Sequence, residues 1–224
     1  MISKEHFLDI LNIEPIYETE GIFYEPFWEF MSRFQSLHRN WEINKMFNQF
    51  HLNNLNIELE NKVNELEHYN FYDNVRADIE YFPDHLRAST LSLAISYFEN
   101  LLVELSNEVA SDLNSKIILD TRPLPIINKY ILWLKRNCEL EITISKVTNR
   151  KLDAIRGVRN RFIHNISRDI PENIRKTIDE MNNVEGEHSR NKVTDGFVDE
   201  SLKEIILVVK NLEMAYIKFY EKIK

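Results

Sequence analysis

Between Pro83 and Val109 the residues Leu91, Ala94, Ile95, Phe98, Leu101, Leu102, Leu105 and Val109 recur at i, i+3, i+4 and i+7. That is the repeat of an amphipathic helix with one long apolar stripe, and such a stripe needs partners of the same kind. Only 4 Gly and 6 Pro occur in 224 residues, too few for the tight turns of a hairpin-rich or barrel fold. Hydrophobic residues make up 43% and charged residues 29%, a folded composition. The length suffices for one sizeable core, or for one domain with a helical lobe. The expected class is all-α.

Along the chain, Ser3 to Ile13 reads as a short helix. An aromatic segment follows, whose residues Phe23 to Phe34 suit a core or an interface. From Trp41, the residues Ile43, Met46, Phe47 and Phe50 keep helical spacing, and Leu55, Leu59, Val63 and Leu66 continue it, as one long helix or two. The stretch "HYNFYDNVRADIEYFPD" breaks the pattern and places a lobe boundary near Phe82. Residues 1–82 are thus read as an N-terminal helical extension of unknown role, and residues 83–224 as a helical bundle. Pro83 and Asp84 open its first helix. A turn with Pro123 and Pro125 leads to a second, "IINKYILWLKRNCEL", and a third runs from about Ser145 to Asn165. Asn182 to Gly196 is a polar loop, and Phe197 to about Lys222 forms the last helix, with Leu202, Ile205, Val209, Leu212, Tyr216 and Phe219 on one side. Four main helices make a four-helix bundle. "KIILD" and "EITIS" have strand-like composition, but two isolated strands seldom stand alone.

The lone Cys138 excludes a disulfide framework within the chain and a cysteine-based zinc site, and suits a reduced cytoplasm. Charged residues come too early for a signal peptide, and no run of about 18 apolar residues suggests a membrane span. A net charge of -8 argues against a surface that coats nucleic acid nonspecifically, though not against a small basic site. The other histidines have no metal-ligand spacing, and P-loop, dinucleotide and nucleophile-elbow patterns are missing. No metal and no cofactor is expected.

Against that acidic background, Arg156 to Asn165, "RGVRNRFIHN", concentrates positive charge. At about 100° per residue, Leu152, Ile155, Val158 and Phe162 fall on one arc that faces the core. Arg159 and Ile163 lie at its edge, while Arg156, Asn160 and His164 continue around in steps of four. Arg159 and His164 do not meet on one straight helix, but a second copy could supply the complement. Gly157, inside the helix, allows close approach of another helix in a homodimer, or equally relieves crowding within one bundle. An imidazole that moves a proton and a guanidinium fork that binds phosphate oxygens suit phosphodiester cleavage by an internal 2′-hydroxyl without a metal. Lys151, Arg156 and Arg161 would draw in the RNA backbone. The plainer reading is a helix C-terminus decorated with positive charge, with His164-Asn165 as its cap.

"RNRFIH", Arg159 to His164, resembles the R-(N/D/H)-x3-H form of the R-x4-6-H motif of the HEPN superfamily of small helical bundles. The resemblance covers the motif and the helical region from about Pro83 onward. It implies a metal-independent endoribonuclease with a composite site across a homodimer, in which Arg159 and His164 are catalytic and Asn160 accompanies them. It also implies a toxin or antiviral-defence setting, with an antitoxin or defence-complex partner. The alternative is a non-catalytic nucleotide-binding, RNA-binding or regulatory subunit of the same fold.

Overall fold

The apolar stripe of residues 91–109 becomes the axis of the molecule. In the computed structural model, which describes residues 13–16, 24–62, 64–137, 140–164, 172–182 and 193–223, all eight stripe residues are buried. They lie on one helix, the third in a series of seven among the described residues: α1 (Glu25–Glu60), α2 (Glu65–Glu80), α3 (Phe82–Asp112), α4 (Ile126–Asn137), α5 (Lys146–His164), α6 (Glu172–Asn182) and α7 (Asp195–Ile223). No strand occurs among the described residues. The fold is all-α, and α3 packs against α1, α2, α4, α5 and α7.

Local chemistry sets the ends of these helices. Pro83 occupies the first turn of α3, where its missing N–H costs no hydrogen bond. Its other end closes with the Ser115 amide on the Ala110 carbonyl at 2.8 Å, over Asn114 at φ 48°. That six-residue closure requires a left-handed residue, and asparagine tolerates the conformation. α2 starts with the Asn64 side chain accepting from the Glu67 amide at 2.9 Å. Thr194 caps α7, its Oγ1 accepting from the Phe197 amide at 3.3 Å, and its own amide donates to Asn182 Oδ1 at 3.0 Å.

Residues on both sides of Phe82 fill one core. Phe27, Phe30, Phe34, Leu37 and Trp41 of α1 join the same buried cluster as the α3 stripe and Phe197, Leu202, Val209 and Tyr216 of α7. Trp41 Nε1 donates to Asp199 Oδ1 of α7 at 2.6 Å, and Lys45 Nζ lies 3.1 Å from the other oxygen. Beyond Trp41 only Asn48 and Leu55 of α1 are buried, so its C-terminal half forms an arm alongside α2.

Several sequence expectations meet a different outcome. The stretch read as a break, residues 68–84, is almost wholly helical, most of it in α2, whose side chains are mostly exposed and which therefore carries no apolar stripe to read. "KIILD" and "EITIS" are irregular, although Ile142 is buried. Between Pro83 and the C-terminus the described residues hold five helices, α6 being the addition to the four expected. The short helix read at Ser3 to Ile13 falls almost wholly outside the described residues, as does most of the polar loop before α7.

Tyr216 is fully buried, and neither its hydroxyl nor Glu108 Oε2 has a well-formed hydrogen bond. Burial raises the Glu108 carboxyl above its usual 4.5, Asp112 and Glu25 add to the rise, and the nearby Tyr216 hydroxyl offsets only part of it. A raised folded value favours the neutral acid, so its stabilisation is complete below the unfolded value and is lost as pH rises through the folded one. Glu108→Gln, locked neutral, is expected to melt at a higher temperature than the natural chain at pH 7 and to lose that advantage near pH 4. Thermal unfolding at the two pH values is the check.

Candidate active site on α5

The N-terminus of α5 is fixed by Ser145, whose Oγ accepts from the Thr148 amide at 3.0 Å. Leu152, Ala154, Ile155 and Val158 are then buried, on a helix that packs against α3, α6 and α7, which sets its rotation. That rotation places Arg159 at the boundary of the core and Asn160 in solvent. Arg159 Nη1 donates to Asn160 Oδ1 at 3.2 Å, while its Nε is buried with no hydrogen-bond partner. A buried guanidinium N–H without an acceptor carries an unrecovered desolvation cost.

The remaining basic residues of the stretch are not equivalent. Arg156 Nη2 lies 3.1 Å from Asp153 Oδ1, one turn back on the same helix. Arg161 is half-buried and has an interaction of its own. Lys151 points away from this group to α7, where Nζ donates to Glu200 Oε1 at 2.6 Å and also to Glu204. Burial alone would lower the Lys151 ammonium, but the two carboxylates more than offset it and hold it above the ordinary lysine value. Arg159 and Asn160 are thus brought together, Arg156 adjoins them one turn earlier, and Lys151 is held elsewhere. The backbone of α5 runs through His164; the imidazole lies outside the described side chains. Five residues of helix separate Arg159 from His164 by about 7.5 Å of rise and about 140° of rotation, so one helix does not aim both at a single phosphate.

Gly157 faces its own chain. A Cβ there would meet two Ile174 side-chain carbons of α6 at 3.5 Å, an ordinary contact. Gly157→Ala is expected to stabilise the protein by about 0.5–1 kcal/mol, since mid-helix glycine costs that much relative to alanine. Urea denaturation reads the gain, and sedimentation of the same variant shows whether the added methyl disturbs self-association.

No group of three or more His, Cys, Asp or Glu side chains among the described residues could hold a metal ion, and no described helix is long and apolar enough to cross a membrane. A separate concavity opens on the arm of α1, lined by Asn44, Phe47, Asn48, Phe50, His51, Asn54 and Phe82, with a volume of about 450 Å³. Sequence reasoning placed Phe47 and Phe50 at helical spacing and made Asn54 part of a polar interruption, but did not join them with Asn44 and Asn48 into a site. The available signal was Asn44 and Asn48 one turn apart with phenylalanines between and after them. Comparison of the chain with known protein families, curated proteins and solved structures found no match.

Proposed function

We propose that the protein is a HEPN-type, metal-independent endoribonuclease, active as a homodimer in a toxin or antiviral-defence role. The observation that carries the reading is the Arg159 guanidinium, held at the core boundary with a buried, unpartnered Nε and joined to Asn160, on the same helix as His164. The resemblance of Arg159 to His164 to the family motif adds to it. The 2′-oxygen of one nucleotide attacks the adjacent phosphorus as its hydroxyl proton passes to a neutral imidazole. The bond to O5′ breaks, and O5′ takes a proton from an imidazolium. The products are a 2′,3′-cyclic phosphate and a 5′-hydroxyl. Arg159 stabilises the negative charge that gathers on the nonbridging oxygens, with Asn160 orienting it. Because Arg159 and His164 diverge on one helix, α5 from a second copy completes the set and supplies the second imidazole.

The test is incubation of purified protein with RNA in EDTA. Cleavage with cyclic-phosphate ends that disappears in His164→Ala supports the reading, as does toxicity on expression relieved by the same change; identical RNA profiles for the two proteins overturn it. A second reading is a non-catalytic RNA-binding, nucleotide-binding or regulatory subunit; the pairing of Lys151 with Glu200 and Glu204 and of Arg156 with Asp153 leaves less charge to draw in a long RNA and favours the nucleotide-binding or regulatory form of it. Intact RNA bound tightly in a manner that depends on Arg159 would select it.

A further inference from the structure

The concavity on the arm of α1 contains a polar group that the fold itself does not use. Asn48 is only 7% exposed, yet its Oδ1 is buried without a hydrogen-bond partner. A buried amide left unsatisfied destabilises the apo protein, whereas an apolar side chain of the same shape would not. Around it, Phe47 is 42% and Phe82 51% exposed, large aromatic faces left open to solvent on a protein with a well-filled core. Asn44 directs its Nδ2 to the Asn40 carbonyl at 2.7 Å, which leaves its Oδ1 as an acceptor. Asn54 adds a third amide.

The charge of this lining narrows the ligand. In a chain with 36 Asp and Glu, the concavity has no carboxylate, lysine or arginine; its single titratable group is His51, whose Nε2 sits 3.4 Å from Asp78. A site built to bind an ion would not look like this. Open aromatic faces take a flat ring, and planar amides pair with the donor and acceptor pattern along its edge. A volume of about 450 Å³ falls within the range of small-ligand sites, about 300–1,000 Å³. We propose that this concavity binds a nucleobase, stacked on Phe47 or Phe82 and hydrogen-bonded at its edge by Asn48 and Asn44. The base comes either from a free nucleotide or from single-stranded RNA, for which stacking with edge hydrogen bonding is the usual mode of recognition. The site is separate from the α5 residues, and base binding does not depend on cleavage.

The experiment titrates the full chain with adenosine, guanosine, cytidine and uridine, with their 5′-monophosphates, and with a four-nucleotide RNA of each base carrying 2′-O-methyl groups to prevent cleavage. Side-chain amide and aromatic NMR signals report binding. Saturable shifts confined to residues 44–54 and Phe82 are expected, weakened about tenfold or more by Phe47→Ala or Phe82→Ala, both exposed positions whose loss leaves the core intact. Asn48→Leu is expected to raise the melting temperature and at the same time lower base affinity about tenfold or more, a pairing that a merely structural asparagine would not give. Equal affinity for mononucleotide and oligonucleotide identifies a free-nucleotide site; at least tenfold tighter oligonucleotide binding, lost in the same variants, identifies single-stranded nucleic acid. Absence of shifts with every ligand at 10 mM (about the weakest binding of interest), or binding unchanged in Asn48→Leu, overturns the proposal.

Discussion

Arg159→Met is expected to slow RNA cleavage about 10²–10³-fold, the usual effect of deleting one donor that stabilises transition-state charge, while leaving thermal stability unchanged or raised. The two effects part because the guanidinium Nε is buried without an acceptor, so its removal relieves a desolvation cost, and the methionine stem keeps the packing of the arginine methylenes. Arg159→Lys restores charge without the planar fork and is expected to recover only a small part of the rate. Single-turnover cleavage with matched melting curves separates this from a positive charge that merely complements the end of α5. In that plainer case Arg159→Met would lower stability by a few tenths of a kcal/mol, Arg159→Lys would restore it, and cleavage would not change.

Lys151→Met is expected to act in the opposite sense, with a loss of about 2–3 kcal/mol in stability. Its side chain is 21% exposed and that of Glu204 10%, so the pair is partly buried, and the loss falls below the roughly 3–5 kcal/mol of breaking a fully buried pair. Glu204 Oε2 already has no hydrogen-bond partner, and without the ammonium its carboxylate is left without compensation. Adding Glu200→Gln and Glu204→Gln removes that charge and is expected to return most of the stability. The Lys151 value is raised on folding, so its contribution is complete below the unfolded lysine value and is lost only as pH climbs through the raised one. Urea midpoints for the single and triple variants at neutral pH decide the matter. A Lys151 that instead binds RNA phosphates would give unchanged midpoints and a weaker, less salt-dependent affinity for RNA.

Periodicity read the long apolar helices well because burial on one face is written into local spacing. The stripe of α3, the inner face of α7 and the N-terminus of α5 at Ser145 all follow from residues three or four apart. α2 escaped that reading because a mostly exposed helix has no stripe, and α6 because eleven residues give few repeats. Phe47 and Phe50 have helical spacing but lie beyond Trp41, where α1 leaves the bundle, and the spacing alone holds no record of where a helix runs out of partners. The same limit applies to charge. Arg156 and Asp153 are legible as neighbours on a helix, whereas the partners of Lys151 stand 49 and 53 residues away and no local rule joins them. Arg159 and Asn160 were legible as a pair by their position in a motif; the burial of the orphaned Arg159 Nε is a property of the folded structure that local spacing does not record.

Trp41 and Asp199 are 158 residues apart, and that interval has a meaning in time as well as in space. Closing so long a segment is costly in chain entropy before any contact offsets it. During synthesis at about 5–20 residues per second, α1 leaves the ribosome with Phe27, Phe30, Phe34 and Trp41 along one face. α3 arrives soon after to receive it, but α7, which supplies Asp199 and the far wall of the core, comes last. For the several seconds between, the nascent chain carries an unfinished aromatic surface, and the order of its helices leaves this face of α1 open to a folding helper or a wrong partner until α7 has been made.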